Sequence, residues 1–415
     1  MKLGSEDYSP GLLKKIEYAG GNTRSFQAAS ESLERLAECS ISSRHVERLT
    51  ERLGKERAAE RDRAAAAMQA RKLRAAYKEP PAVAAVHLDA GKAQFRQEDV
   101  GPGVHGPHWG DTKVACLQTY TDVGHDKDPQ PEPPKTFLDP VRVERLCREM
   151  ERVRGPGGDK QAEAKPAKKT ALEKPPATQK HKKDRRRKRP KRLVRTVVAT
   201  TAKVEEFGWM VSAEAMKRKM YAARKRAVVG DGGNWIEPLG QLHFAGWEQI
   251  LDFLHLLVHL FAAARLAYAK DARAAWKLYE RMLRDAWGGK VPAVIEALRE
   301  QVSRLRTGAS AEAKAYRVVE LALAYVERNR ERMDYPRYRQ MGLPVSSSLV
   351  ESLIKQINHR VKGTEQFWNS GGLEAVLQVR AAYLSQDGRA EEFHKRRPRA
   401  PAVGRNRVKF RQPAG

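Results

Sequence analysis

The chain has 415 residues, with 79 Lys and Arg against 51 Asp and Glu, a formal net charge of +28 and a pI near 10.1. Such an excess attracts polyanions, nucleic acid above all, and the length suits two or three domains. No apolar run approaches the ~20 residues that span a bilayer, the first residues carry no signal-peptide core, and Cys39, Cys116 and Cys147 form no C-x-x-C pair, which argues against a membrane protein, a disulfide scaffold and a thiolate zinc site and for a reducing cytosol.

Residues 1–78 read as helical. SFQAASESLERLAEC carries Phe26, Leu33 and Leu36 at helical spacing, and SISSRHVERLTERLGKE places Val46, Leu49 and Leu53 on one face. Joined by a short polar turn, the two helices fit either a helix-turn-helix that reads DNA or ordinary packing helices. A long Ala/Arg/Glu-rich helix then leads away with a charged, solvated face.

From residue 79 the period changes. AVAAVHLDAGKAQFRQ predicts an apolar strand ending in Asp89, a Gly-containing turn and a second, alternating strand; DTKVACLQTYTDV predicts a third. These open an α/β domain over 79–154. Residues 155–192 hold 15 Lys/Arg and 4 Asp/Glu, so +11 of the net charge falls in one stretch with almost no large apolar residue. That composition predicts a disordered basic insert that binds nucleic-acid backbones through counterion release, with a solvated linker as the alternative. The domain resumes over 193–252 with LVRTVVATT, an amphipathic helix, the short strand AVVG ending in Asp231, and a strand over Gln249–Asp252. Residues 253–341 read as an all-α insertion, 342–387 as the final helices of the domain, and 388–415 as a basic, flexible tail.

The stretch Gly342 to Gly372 carries the sharpest signal. A helix from Ser348 buries Val350, Leu353, Ile354, Ile357 and Val361, and aligns Glu351, Lys355, Asn358 and Lys362 beside that stripe. Two readings of Glu351 compete: the closing half of a capping box begun by Ser348, or an acid at the edge of a cleft. Asp89 and Asp231 each follow an apolar strand, where ligand-binding acids gather in open α/β sheets. Carboxylates brought together there can hold a pair of Mg²⁺ ions for in-line displacement at phosphorus. Asp252 and His255, one helical turn apart, can share a hydrogen bond. With His259 they also spell a zinc-like Asp-x-x-His-x-x-x-His, although the HExxH base is absent.

The ordered set LDAGKAQFR, WGDTKVACLQT, VVGDGGNWI, ILDFLHLLVHL and GLPVSSSLVESLIKQINHRVKGTEQFW resembles bacterial insertion-sequence DDE transposases of the Kra-type branch, and is similar more distantly to the Mutator-like transposases. The resemblance runs from about Ser25 to Leu384, omitting the basic insert. It implies an α/β, RNase H-like mixed sheet flanked by helices, with an all-α insertion domain and an N-terminal helical region. It implies Asp89, Asp231 and Glu351 as the catalytic, metal-binding triad for two Mg²⁺ (or Mn²⁺) ions, and Asp252 and His255 as a supporting pair. Its substrate would be double-stranded DNA, both element ends and target, met by a homo-oligomer in the bacterial, nucleoid-associated cytoplasm. Lys355, Arg360 and Lys362 are expected to steady DNA phosphates. The alternative is a catalytically inactive DNA-binding or architectural protein derived from such an enzyme.

Overall fold

The computed structural model describes residues 8–96, 108–154, 190–306, 313–346, 348–363 and 366–397. Five strands form one mixed sheet: β1 (Val83–Phe95), β2 (His108–Tyr120), β3 (Arg192–Thr200), β4 (Lys225–Gly230) and β5 (Glu248–Leu251). Their order is β3-β2-β1-β4-β5. The β1–β2 and β2–β3 pairs are antiparallel, and β1–β4 and β4–β5 are parallel. Because side chains alternate across a strand, Ala84, Val86 and Leu88 face α5 (Val204–Lys217) and α6 (Ile236–His243), sharing a core with Phe207, Val211 and Leu239. The opposite face packs on helices on both sides of the acidic positions.

Two of those helices are α12 (Ser348–Val361) and α13 (Ser370–Leu384). The five apolar residues read from the repeat of α12 are all at most 1 % exposed, packed on Ala93, Val114, Cys116, Val197 and Ala199 of the sheet. Truncating one of these, Leu353→Ala for example, would cost about 2–5 kcal/mol. Beyond β5 the chain is helical: α7 (Phe253–Ala267), α8 (Ala272–Trp287), α9 (Val291–Arg306), α10 (Ala313–Asn329) and α11 (Tyr335–Gln340). They bury a core of their own around Leu257, Met282, Leu298 and Val326, which is continuous with the sheet through Ala85, Val229 and Ile250. No helix among the described residues is long and apolar enough to cross a membrane.

Several details differ from the sequence reading. Residues 83–95 form one unbroken strand rather than two joined by a turn, because β2 pairs with β1 along its whole length. Gly91 is not a turn residue: a Cβ there would lie 2.9 Å from Thr112 Oγ1 and 3.3 Å from Asn358 Oδ1, so the glycine lets α12 approach the sheet. The N-terminal region contains α1 (Pro10–Asn22), α2 (Phe26–Ala37) and a continuous α3 (Ser43–Gln69). Leu33, Val46 and Leu49 are buried with Leu13 and Ile16, whereas Leu36 is 87 % exposed. The long helix does not lead away into solvent. A Cβ on Gly54 would fall 2.2 Å from the carbonyl oxygen of Ala375, so α3 lies in backbone contact with α13.

An unforeseen helix, α4 (Pro140–Arg154), buries Val143 and Cys147 in the same core as α7. The basic insert lies outside the described residues except at its end, where Arg192 already belongs to β3. The start of the expected flexible tail is also ordered, as α14 (Arg389–Arg396). Phe393 is buried under the Arg57 guanidinium at 3.8 Å, and Arg389 pairs with Glu214 at 2.6 Å and Asp387 at 2.8 Å. Burial alone would raise the Glu214 carboxyl, but Arg389 and Lys217 hold it down at about 2. Residues 398–415 lie outside the described residues.

Candidate metal centre

The parallel pairing of β1 with β4 ends at Leu88 and Gly230. Asp89 and Asp231 are the next residues on those two neighbouring strands, so register alone sets them side by side. Asp89 is therefore not at the end of its strand; it stands where β4 stops and β1 continues. Its Oδ1 accepts from the Ala90 amide at 2.7 Å, and the residue is 5 % exposed. Asp231 is half-buried and begins a turn through Gly232, whose φ is +75°. A Cβ at Gly232 would meet Asn329, Leu251 and Tyr325, each at 3.0 Å, so conformation and space both require glycine.

That turn is held from α10. Tyr325 donates its hydroxyl to the Asp231 carbonyl at 2.7 Å, while Arg328 donates to the Gly232 carbonyl and to Asn234 Oδ1, each at 2.8 Å. Asp231 Oδ1 itself accepts from the Gly233 amide at 2.9 Å. Sequence reasoning missed Tyr325 and Arg328, which sit on a helix with no other mark of function.

Asp252 follows β5, and its amide donates to the Gly230 carbonyl at 2.8 Å. It caps α7: one carboxylate oxygen accepts from the Leu254 amide at 3.3 Å and the other from Nδ1 of His255. Asp252 is fully buried and His255 is 3 % exposed. The next amide, of Phe253, donates to the Val345 carbonyl at 3.0 Å, and so fixes the run-in to α12 against the start of α7. His87, also missed by sequence reasoning, lies on the same face of β1 as Asp89. Burial pushes its imidazole down to about 4, against the charge of Asp252, so it is neutral near pH 7.

Glu351 sits in the first turn of α12 and is 7 % exposed. Since the helix starts at Ser348, Glu351 is its fourth residue, one beyond the third position that a capping box employs. Its carboxylate lies close to Asp252 and His255. Ligand atoms of Asp252, His255 and Glu351 all lie within 4.8 Å of one another, as do those of Asp89, Asp231 and His255. His255 is the member common to both groups. His259 is in neither; its ring stacks on Tyr325 at 4.0 Å, so the zinc-like Asp-x-x-His-x-x-x-His spacing does not come together.

The three cations expected on α12 fare differently. Lys355 is exposed and pairs with Glu149 of α4 at 3.0 Å. Lys362 is 8 % exposed, its ammonium 5.7 Å from the Trp109 ring centre. Arg360 is 1 % exposed, lies over Phe26 and Trp368 at 4.5 and 5.1 Å, and donates to the Gly20 carbonyl at 2.9 Å. Burial, with the charge of Arg380, brings its guanidinium down to about 10. Arg360 thus fastens α12 to α1 and is turned away from solvent; one of its aromatic walls, Phe26, comes from far away in the chain.

No protein-family model matches the chain, and no curated protein matches it either.

Proposed function

We propose that this protein is a DDE-type DNA transposase, with an RNase H-like catalytic domain, that hydrolyses a phosphodiester at the end of an insertion sequence and joins the freed 3′-hydroxyl to target DNA. The observation that carries the reading is the convergence of Asp89, Asp231 and Glu351, from two strands and a distant helix, around His255. The sheet order, with an antiparallel β1–β2–β3 meander and parallel β4 and β5, supports it, as does the helical segment lying between the second acid and the third. The net charge of +28 suits a DNA substrate in the bacterial nucleoid.

The donor set suits a hard divalent cation: Asp89 and Asp231 lie together beside His255, and Glu351 lies with His255 and Asp252, every one of these acids but Asp231 buried. Asp89, Asp231 and Glu351 would hold Mg²⁺ or Mn²⁺, two ions in this reading. When bound, the cations supply Lewis-acid stabilisation of charge at the reacting phosphate and favour the deprotonated attacking oxygen. The chain contributes position. Register sets Asp89 beside Asp231, the Tyr325 and Arg328 contacts hold the turn after β4, and the tie from Phe253 to Val345 brings α12 to the start of α7. The apolar core beneath, from Ala85 to Leu256, keeps water from the buried side of the acids.

Incubating the full chain with its own element ends and Mg²⁺ or Mn²⁺ tests this. Strand nicking at the ends that stops on chelation is expected. Intact DNA in the presence of folded, DNA-bound protein would sink the transposase reading.

A further inference from the structure

We infer that His255 is a nitrogen ligand of the metal centre, oriented by Asp252. The inference rests on the metal-binding reading of Asp89, Asp231 and Glu351 and adds to it a fourth donor of different chemistry.

Both oxygens of Asp252 are engaged within the chain, one at the Leu254 amide and the other at Nδ1 of His255. A carboxylate accepts, so Nδ1 carries the proton, and in the neutral ring Nε2 is the nitrogen able to bond a metal. That tautomer is the one a metal ligand requires, and a buried carboxylate behind a histidine is the usual device for fixing it. The ring is common to both groups of acids, with a ligand atom within 4.8 Å of those of Asp89 and Asp231 and within 4.8 Å of those of Asp252 and Glu351. Asp252 caps a helix and the pair is buried, so the ring is held by α7 rather than by a loop. A second observation points the same way. Among the described residues, His87, on the Asp89 face of β1 and 1 % exposed, has no hydrogen-bond partner at either ring nitrogen. A polar group so placed calls for a hydrogen-bonding species from outside the chain.

One imidazole among carboxylates changes which cation the site prefers. Mg²⁺ favours oxygen ligands, whereas Mn²⁺ binds imidazole more readily. Mn²⁺ should therefore bind more tightly than Mg²⁺ by a factor that shrinks when His255 is replaced.

The test is Mn²⁺ titration of the full chain without DNA, with electron spin-echo spectroscopy of the bound ion. Wild type should show modulation from a directly bonded ¹⁴N, altered by ¹⁵N-histidine labelling. His255→Gln should lose it, with Mn²⁺ affinity down by about 10–100-fold and Mg²⁺ affinity changed far less. His87→Gln should keep it. Asp252→Asn, which can still cap α7, should keep the coupling with about 10-fold weaker Mn²⁺ binding. Bound Mn²⁺ without nitrogen coupling in wild type overturns the role of His255 and leaves the carboxylate site standing. Coupling lost in His87→Gln and kept in His255→Gln also overturns it. No Mn²⁺ binding by folded wild type removes both readings. If His255→Gln fails to fold, the wild-type and His87→Gln spectra together decide: coupling absent from wild type, or lost in His87→Gln, overturns the role of His255.

Discussion

Asp89 and Asp231 are consecutive to the last paired residues of two parallel strands, Leu88 and Gly230, and so stand abreast although one is inside its strand and the other just past its end. Two like charges held together this way oppose each other unless a cation joins them. Asp89→Asn and Asp231→Asn should therefore fold with an unchanged or higher thermal midpoint, yet lose nicking by on the order of 10²–10³-fold and give up divalent-cation binding. Calorimetry with and without Mn²⁺ checks it. An Asn variant that keeps the metal-induced rise in midpoint would remove that residue from the centre.

Glu351→Gln separates cap from ligand. Gln serves as well as Glu in a capping box, so a capping role predicts near-normal stability and activity. As a metal ligand, Glu351 predicts a folded variant that binds DNA ends as wild type does and does not cut them. Nicking at the wild-type rate would assign Glu351 to the helix alone.

Tyr325 and Arg328 hold the Asp231 turn through its backbone, so their effect should be on metal affinity rather than on folding. Tyr325→Phe removes one hydrogen bond, worth about 1 kcal/mol. Arg328→Ala removes two from the turn. The double variant should weaken Mn²⁺ binding by about 10-fold and leave the circular dichroism unchanged. Unaltered binding in the double variant would mean that the Gly232 turn keeps its shape unaided.

Glu17 reports on the N-terminal module. Burial would raise its carboxyl, but His394 and Arg57 hold it down to about 2, through bonds of 2.7 and 2.6 Å. A carboxyl depressed in the folded state contributes stability above its unfolded value of about 4.5, and that contribution fades as pH falls from there towards 2. Wild type should lose about 2 kcal/mol of the Glu17 contribution between pH 5 and pH 3, measured by urea unfolding at those two values. Glu17→Gln should be the less stable protein at pH 5 and should lose less on acidification. Parallel losses in the two proteins would contradict the assignment.

Much of this arrangement is legible in local pattern. The 3.6-residue repeat of α12 names its buried face, and the short apolar run before Asp231-Gly232-Gly233 marks a strand with a turn after it. What local pattern cannot carry is pairing between distant segments. Asp89 reads as a strand end because Gly91 resembles a turn, and only the uninterrupted partner β2 extends β1 past it. Arg360 reads as an exposed cation because its aromatic neighbours include Phe26, far away in the chain. The helix at 389–396 hides in a basic tail for the same reason: its acidic partner Glu214 lies on α5. The grouping of Asp89, Asp231 and Glu351 entered through resemblance, since their spacing in sequence says nothing of distance.

The contact of Gly54 with Ala375 has a metrical consequence. With α3 seated on α13 at backbone distance, the N-terminal helices pack directly on a helix that covers the acid-bearing sheet. Any duplex gripped by α2 or the start of α3 would be presented to Asp89 at a constant offset. The cut would then fall a set number of base pairs from the gripped sequence, and lengthening the DNA between them by half a helical turn would carry the scissile phosphate to the wrong side of the duplex.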